Sequence, residues 1–198
     1  MLEILIGTNN VNKLEQFKKV FDEDMPGTVV LSLNDLGVDD DVEEDADNLL
    51  DNAKKKAEYY GKKTGRITLA DDTGLFVDAL GGEPGIHAKR WHAGTEEERN
   101  KRLLERMKDV VEEDRTCRYV GVLAIYNPSR DKFWVFEGIS EGSIALGPKG
   151  SGGFGYDSIF ISKESGRYFA ELSMEEKNKL SHRGRGVREL AKNLDKIL

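Results

Sequence analysis

The spacing of apolar residues changes character halfway along the chain, and this change restricts the fold more than any other feature. In the first half, short apolar runs at residues 2–7, 29–33 and 67–70 predict strands. They alternate with residues 12–21 and 46–64, where apolar side chains recur every three or four positions. Because that spacing is typical of one face of a helix, this half predicts strands alternating with helices.

Strand-like segments cluster in the second half. Residues 118–126, 132–139 and 142–146 indicate an antiparallel meander, and residues 158–161 indicate a further strand. Together, the two halves predict an α/β fold with an elongated mixed β-sheet flanked by helices. We expect a single domain over residues 1–198, with two lobes around a central substrate cleft.

Two helices are predicted in this half. Thr95 with Glu98 three positions later matches a capping box, which predicts a helix through Met107. Residues 185–198 carry apolar side chains at helical spacing and predict an amphipathic C-terminal helix.

Charge and composition exclude several functional classes. The chain has 198 residues and a formal net charge of -7, which argues against a surface that coats nucleic acid. No stretch approaches the roughly 20 apolar residues that a membrane span needs, and no export signal is visible. The single cysteine, Cys117, cannot form an internal disulfide. We expect a cytoplasmic protein that binds neither membranes nor nucleic acid.

A polar segment joins the first predicted strand to the first predicted helix. Backbone N–H groups at a helix start, together with hydroxyl, amide and ammonium groups, can bind an anion such as a phosphate. The alternative is an ordinary helix cap with an exposed lysine, and this segment alone does not decide between the two. Its residues are Thr8, Asn9, Asn10, Val11, Asn12 and Lys13.

Acidic residues occur at two places where they could hold a metal ion. Glu43 and Glu44 precede the second predicted helix, and Asp71 and Asp72 follow the apolar run 67–70, which places them at a predicted strand end. Carboxylates there suit Mg²⁺, which prefers oxygen ligands and bridges to substrate phosphates. One carboxylate could also accept a proton from water. Glu43 and Glu44 alone would usually be solvated surface.

A glycine-rich segment with Gly150, Gly152 and Gly155 has the spacing of a dinucleotide-binding fingerprint but the wrong context. That fingerprint opens a helix after the first strand of a parallel unit, whereas this segment precedes a strand. Phe154 and Tyr156 offer a platform for stacking a base, and core packing is the alternative.

Basic residues at 176–185 indicate a solvated patch when taken alone, and His87 and His92 are too scattered to form a metal pair with it.

In order along the chain, however, several motifs together resemble the inosine triphosphate pyrophosphatase family, also called non-canonical purine NTP pyrophosphatases. The resemblance spans nearly the whole chain. Its motifs are Thr8-Asn9-Asn10-Val11-Asn12-Lys13, Asp51-Asn52-Ala53 with Lys56-Ala57, Ala70-Asp71-Asp72-Thr73-Gly74-Leu75, Gly81-Gly82-Glu83-Pro84-Gly85-Ile86, Gly152-Gly153-Phe154-Gly155-Tyr156-Asp157, and Glu176-Lys177-Asn178 with Ser181-His182-Arg183-Gly184.

The resemblance implies a role for each matching position. Glu44 and Asp72 would bind Mg²⁺, and Asp72 would be the general base. The triphosphate would be held by Thr8, Asn9, Asn10, Val11, Asn12, Lys13 and Lys56. Thr73 would touch substrate. Phe154, Gly155, Tyr156 and Asp157 would enclose the base and ribose, and Lys177, His182 and Arg183 would complete recognition of the purine.

The resemblance also implies a homodimer that hydrolyses ITP, dITP and XTP to the monophosphate and pyrophosphate, so that deaminated bases are not incorporated into nucleic acid. Two positions depart from the family pattern. The family more often has Glu-Thr-Gly and Glu-Asn-Ala, where this chain has Glu44-Asp45-Ala46 and Asp51-Asn52-Ala53. Two alternatives are a related phosphohydrolase acting on other nucleotides, including pyrimidine nucleotides, and a nucleotide sensor without turnover.

Overall fold

A computed structural model describes residues 2–197 of the chain, and within them strands and helices alternate as far as the third strand. None of the helices in these residues is long and apolar enough to cross a membrane. The strands are β1 (Glu3–Ile6), β2 (Val29–Ser32), β3 (Thr68–Val77), β4 (Pro84–Gly85), β5 (Thr116–Asn127), β6 (Lys132–Ile144) and β7 (Phe160–Ser162); the helices are α1 (Val11–Asp24), α2 (Leu49–Thr64), α3 (Glu96–Arg106), α4 (Met174–Leu180), α5 (His182–Ala191) and α6 (Leu194–Ile197).

The strands form one mixed sheet in the order β2-β1-β3-β5-β6-β7, and β4 pairs with β3. The strand β1 is parallel to both β2 and β3, with Leu5 opposite Leu31 and Thr68. The pairs β3–β4 and β6–β7 are antiparallel. Parallel strands need a crossover, and the helices α1 and α2 supply the two crossovers. The predicted mixed α/β fold is confirmed.

The chain divides into two compact units, and β3, β5 and β6 contribute residues to both. Unit 1 comprises Met1–Asp72, Gly121–Gly138 and His182–Leu198. Unit 2 comprises Thr73–Val120 and Ile139–Ser181.

The core of unit 1 lies between α1, α5 and the strands. Phe17, Val20 and Phe21 are fully or almost fully buried on one face of α1, as their spacing predicts. They pack in one cluster with Val187 and Leu190 of α5. Burying each side chain of this size contributes about 1.5–3 kcal/mol, so this helix face fixes α1 against the sheet.

The core of unit 2 contains a group of aromatic side chains in contact with one another. Phe160 and Phe169 have ring centroids 4.6 Å apart, and Tyr119 lies 4.8 Å from Phe160. Leu103 of α3 joins this cluster, and so does the buried Cys117.

Side-chain caps mark the starts of α1, α2, α3 and α4. Thr95 and Glu98 form the predicted capping box at α3, and Ser173 forms another at α4. The side chains of Asn10 and Asn48 accept backbone N–H groups at the starts of α1 and α2. Each such cap stabilises a helix by about 1 kcal/mol.

Three predicted boundaries are wrong. The strand β3 does not end at Ala70 but continues through Asp71 and Asp72 to Val77, so the two acids lie within a strand. The strand β6 is continuous where two strands were predicted. The C-terminal helix begins at His182 rather than Arg185 and breaks before α6, and its predicted end at Leu198 lies outside the described residues.

Candidate functional site

The segment before α1 is both a helix cap and the support of a buried lysine. Asn10 Oδ1 accepts from the backbone N of Lys13, and Thr8 Oγ1 accepts from the backbone N of Asn10. The Lys13 side chain is only 15% exposed, and its Nζ lies 3.0 Å from Asp71 Oδ1. The segment is therefore a helix cap, as one alternative predicted, but its lysine is not exposed as that alternative also predicted.

Asp71 is the centre of the charges in unit 1. Its side chain is 1% exposed, and its two carboxylate oxygens contact Lys13 Nζ and Arg183 Nε at 3.0 and 2.9 Å. Its backbone carbonyl accepts from Lys56 Nζ at 2.6 Å. Burial alone would raise the pKa of Asp71, but the charges of Lys13, Arg183 and Lys56 outweigh it and hold that pKa well below its ordinary value.

The same environment favours the charged form of Asp71 but disfavours the charged form of Lys13. The pKa of the Lys13 ammonium is lowered to about 8, mainly by burial, and the positive charges of Arg183 and Lys56 act in the same direction. The carboxylates of Asp71 and Asp72 oppose this shift without cancelling it. Lys13 is therefore a buried cation that can lose its proton close to neutral pH.

Asp72 is buried in a different environment. Its Oδ2 accepts a hydrogen bond from Asn52 Nδ2 at 3.0 Å. Burial raises its pKa above the ordinary value, and the charge of Glu44 also raises it, while Lys56, Lys13 and the Asn52 hydrogen bond work against the shift. Because successive strand residues point to opposite faces, adjacent aspartates can hold such different partners.

Glu44 and Asn52 connect the loop before α2 to Asp72. Glu44 forms an ion pair with the buried Lys56, and its charge acts on Asp72. Asn52 Oδ1 accepts from the backbone N of Ala46 at 3.0 Å, while its Nδ2 donates to Asp72. Asn52 therefore fixes the loop at the position where this chain has alanine instead of the more usual glycine.

The oxygen atoms of this cluster suit Mg²⁺. Among residues 2–197, no group of three or more His, Cys, Asp and Glu side chains could hold a metal by itself. Mg²⁺, however, is usually bound by one or two carboxylates, waters and substrate phosphates. Glu44 and Asp72, two carboxylates that repel each other electrostatically, fit that kind of site.

The start of α5 places two more predicted residues in unit 1. His182 and Arg183 are both buried. Besides its contact with Asp71, Arg183 donates from Nη1 to Gln16 Oε1 of α1 at 3.2 Å. His182 and Arg183 are therefore not part of a solvated patch, whereas Lys179 of the same basic segment is exposed.

In unit 2, the predicted base-binding residues form a separate cluster. Asp157 Oδ2 accepts from the backbone N of Phe154 at 2.8 Å, and it also forms an ion pair with Lys177. The Lys177 ammonium lies over the Phe154 ring, 4.6 Å from its centroid. Lys177 is buried, so Asp157 and Phe154 together hold a buried cation.

Tyr156 and the glycine-rich segment complete this cluster. The Tyr156 ring is 4% exposed and lies in the core of unit 2, with its hydroxyl bonded to Ala88 O at 2.8 Å. Its position matches the core-packing alternative. Beside Phe154, a cavity of about 460 Å³ opens between α3 and the segment, with Asn100, Leu104 and Pro148 in its wall.

Four further predicted residues differ in their exposure and contacts. Val11 is 64% exposed, and Asn12 is also exposed. Asn9 donates from Nδ2 to Asp40 O at 2.9 Å. Thr73 is half-buried in β3 and belongs to unit 2.

Sequence reasoning assigned no separate role to Asp71, Asn52 or Gln16, although the structure places all three in the cluster of unit 1. Asp71 had a visible signal, because alternation along a strand gives two adjacent aspartates different faces and therefore different partners. Gln16 had none, because a glutamine within a helix is usually exposed.

Comparison with known proteins tests the resemblance. Residues 4–193 match the model of the Ham1 family. A dITP/XTP pyrophosphatase of Bacillus licheniformis is 42% identical, with 98% of this chain and 99% of that protein covered. One of Thermus thermophilus is also 42% identical, with 96% and 90% covered.

Solved structures give the same result. The Staphylococcus aureus Ham1 protein aligns with a TM-score of 0.84 at 34% identity, covering 99% of this chain and 100% of that one. A nucleoside-triphosphatase, described as a dITP/XTP pyrophosphatase, of Mycobacterium abscessus aligns with a TM-score of 0.72 at 37% identity, covering 96% and 98%. The predicted family resemblance is confirmed, and the chain belongs to the Ham1 family.

Proposed function

We propose that this protein hydrolyses non-canonical purine nucleoside triphosphates, namely ITP, dITP and XTP, to the monophosphate and pyrophosphate with the help of Mg²⁺. Relatives that match nearly the whole chain bear the name dITP/XTP pyrophosphatase. The observation that carries the proposal is the buried cluster of unit 1, where two aspartates of opposite pKa shift share a site with Lys13 and Lys56.

The proposed phosphate site uses Lys13 and Lys56 with the polar segment before α1. The first helical turn of α1 offers backbone N–H groups, which favour anions. The chain as a whole carries a net charge of -7. Binding a triphosphate therefore requires concentrated local cations, and the buried Lys56 and the largely buried Lys13 supply them.

The opposite pKa shifts favour Asp72 over Asp71 as the general base. Asp71 is held in its charged form by Lys13, Arg183 and Lys56, so its carboxylate is a weak proton acceptor. The raised pKa of Asp72 makes its carboxylate the stronger base of the two. General bases work best when their pKa approaches the working pH.

The reaction follows from these roles. Asp72 accepts a proton from a water molecule, and the water oxygen forms a bond to the α-phosphorus. The bond between the α-phosphorus and the bridging α–β oxygen breaks, and its electron pair leaves with pyrophosphate. Lys13 and Lys56 stabilise the negative charge on the phosphate oxygens, as is usual for phosphoryl transfer.

Mg²⁺ would be held by Glu44 and Asp72. When bound, Mg²⁺ neutralises charge on the phosphates and orients them. Glu44 forms an ion pair with Lys56, so the negative charge of this carboxylate is compensated within the protein.

Base selection is proposed for His182 and Arg183, which are both buried at the start of α5. A 6-oxo purine presents an acceptor that Arg183 or His182 can satisfy, whereas the 6-amino group of adenine would place a donor against a donor. An unsatisfied buried donor costs about 1–3 kcal/mol. Convergent donors therefore favour hypoxanthine and xanthine over adenine.

Such an activity removes deaminated purine nucleotides before they enter DNA or RNA. We further propose that the protein acts as a homodimer in the cytoplasm.

Incubation with ITP, dITP, XTP, GTP and TTP in the presence of Mg²⁺, with separate assays of pyrophosphate and orthophosphate, tests the proposal. We expect pyrophosphate from ITP, dITP and XTP. Predominant orthophosphate would contradict cleavage at the α-phosphorus, and preference for TTP would favour the pyrimidine alternative. Tight nucleotide binding without any product would favour a sensor.

A further inference from the structure

The N-terminal turn of α5 lies directly on two glycines of neighbouring strands, Gly121 of β5 and Gly138 of β6. A Cβ atom added to Gly121 would lie 2.6 Å from Cδ2 and 3.4 Å from Cγ of the His182 imidazole. A Cβ added to Gly138 would overlap the backbone carbonyl of His182 and lie 2.8 Å from the backbone N of Gly186. The distances of 2.6 Å from Cδ2 and 2.8 Å from the backbone N are far below van der Waals contact with a carbon atom.

Close approach, and not backbone conformation, is the reason for glycine at these two positions. Neither Gly121 nor Gly138 belongs to the glycines with positive φ. The helix side of the contact also has a glycine, because a Cβ on Gly186 would lie 2.8 Å from Leu123 Cδ1. Glycines on both sides therefore let α5 approach the sheet closely.

The two strand glycines touch different parts of His182. Gly121 faces the imidazole ring, so a larger residue there would displace the side chain. Gly138 faces the backbone of the first turn of α5, so a larger residue there would displace His182 together with its neighbour Arg183. Arg183 in turn holds Asp71 at 2.9 Å.

We infer that Gly121 and Gly138 are positioning residues for base selection. Gly121 sets the place of the His182 ring, and Gly138 sets the place of the α5 backbone and with it both proposed base-reading side chains. Hydrogen bonds weaken steeply when donors move from their proper distance and angle, and a displacement of about 1 Å can cost roughly 100-fold in rate. This inference rests on the proposed function.

A glycine needed only for packing would behave differently from a positioning residue. Its replacement would lower stability, but the molecules that remain folded would keep their preference between bases. Replacement of a positioning glycine lowers kcat/KM for ITP, mainly through KM, and it lowers kcat/KM for ATP less. The ratio of the two kcat/KM values is therefore the informative quantity.

The first experiment compares Gly121→Ala with Gly147→Ala. A Cβ on Gly147 would meet no atom within 4 Å, and Gly147 has no positive φ, so it is a matched control. We expect the ITP/ATP ratio of kcat/KM to fall at least tenfold in Gly121→Ala and to stay unchanged in Gly147→Ala. Circular dichroism and urea unfolding establish the folded fraction of each variant.

A second experiment uses His182→Ala as the background. Gly121→Ala should lower kcat/KM for ITP no further there, because the ring that it displaces is gone. Gly138→Ala should still lower kcat/KM for ITP there, because an alanine at position 182 has the same backbone carbonyl that a Cβ on residue 138 would displace. If Gly138→Ala does not fold, Gly121→Ala in the two backgrounds carries the test.

The outcomes separate the inference from the proposed function. A wild-type protein that releases no pyrophosphate from ITP overturns the proposed function and this inference with it. If the wild type is active, an unchanged ITP/ATP ratio in folded Gly121→Ala overturns the inference alone. An equal loss of ITP hydrolysis from Gly121→Ala in both backgrounds also overturns it.

Discussion

The carboxylate of Asp71 accepts a hydrogen bond from Arg183 Nε at 2.9 Å, although the two residues are 112 positions apart in the chain. The other oxygen of the same carboxylate contacts Lys13 Nζ at 3.0 Å. Asp71 thus connects a lysine proposed to hold phosphate with an arginine proposed to read the base. A buried acid with two buried cations is stable only as a complete set, because each member compensates the others.

Replacing Asp71 by Asn should therefore destabilise the protein and weaken substrate binding together. Breaking a buried ion pair by removing one partner costs about 3–5 kcal/mol, and urea unfolding at pH 7 measures this loss. We also expect KM for ITP to rise at least tenfold. The surface pair of Glu175 with Lys179 provides the control, since Glu175→Gln should cost less than about 1 kcal/mol.

The stability that Asp71→Asn loses relative to wild type should decrease as the pH falls. The native pKa of Asp71 is depressed, so its stabilisation is fully present above the unfolded value of about 3.9 and is lost as pH falls towards the native value. The stability difference between wild type and Asp71→Asn should therefore shrink below about pH 4. A difference that stays constant down to low pH would show that charge is not its origin.

Local patterns predicted the parts of the fold that depend on local chemistry. The apolar face of α1 and the capping box of Thr95 were predicted correctly, because helical spacing and caps are properties of a few neighbouring residues. The strand β3 was cut short at Ala70, because adjacent aspartates rarely continue a buried strand. What allows Asp71 there is compensation by Lys13 and Arg183, and Asp72 accepts a hydrogen bond from Asn52; no local pattern contains these contacts.

The candidate site was likewise predicted only in part, because some of its features depend on residues distant in sequence. The motifs located Lys13, Lys56 and Asp72, and the structure gathers them in one unit. The burial of Lys177 and Arg183 was unpredictable from composition, because a basic segment is ordinarily solvated. Each of these cations is buried against an aspartate distant in sequence, Asp157 and Asp71 respectively.

Replacing Asp72 by Asn should abolish turnover and keep most of the affinity for nucleotide. Removing a general base typically costs 10²–10⁴-fold in rate, while the phosphate-binding lysines remain in place. Single-turnover hydrolysis and equilibrium dialysis with ITP measure the two effects. Asp78→Asn, at an exposed aspartate paired with Arg118, should leave both unchanged. Turnover of Asp72→Asn at the wild-type rate would assign the base elsewhere.

The acid limb of the pH profile should reflect the raised pKa of Asp72. Because the carboxylate must be ionised to accept a proton, kcat/KM should increase with pH through a pKa above the ordinary aspartate value of about 3.9. Metal and proton compete for the same carboxylate, so the limb should move to lower pH as the Mg²⁺ concentration rises. A limb that is independent of Mg²⁺ would separate Asp72 from the metal.

The alkaline limb should report Lys13, whose pKa is lowered to about 8. As pH rises through this value, Lys13 loses its charge, and kcat/KM for ITP should fall. Lys13→Arg should remove this limb, because a guanidinium stays protonated. Lys19→Arg, at an exposed lysine of the same helix, should keep the wild-type profile. An unaltered limb in Lys13→Arg would assign the titration to another group.

Neighbouring glutamates offer a matched test of the metal site. Glu44 acts electrostatically on Asp72 and pairs with Lys56, whereas Glu43 is exposed. Removing Mg²⁺ with EDTA should abolish pyrophosphate release, and added Mg²⁺ should restore it. Glu44→Gln should raise the Mg²⁺ concentration for half-maximal activity at least tenfold, because one of two charged ligands is lost, while Glu43→Gln should not change it. Equal shifts in both variants would indicate a general effect of surface charge, and Glu44 would then not be a ligand.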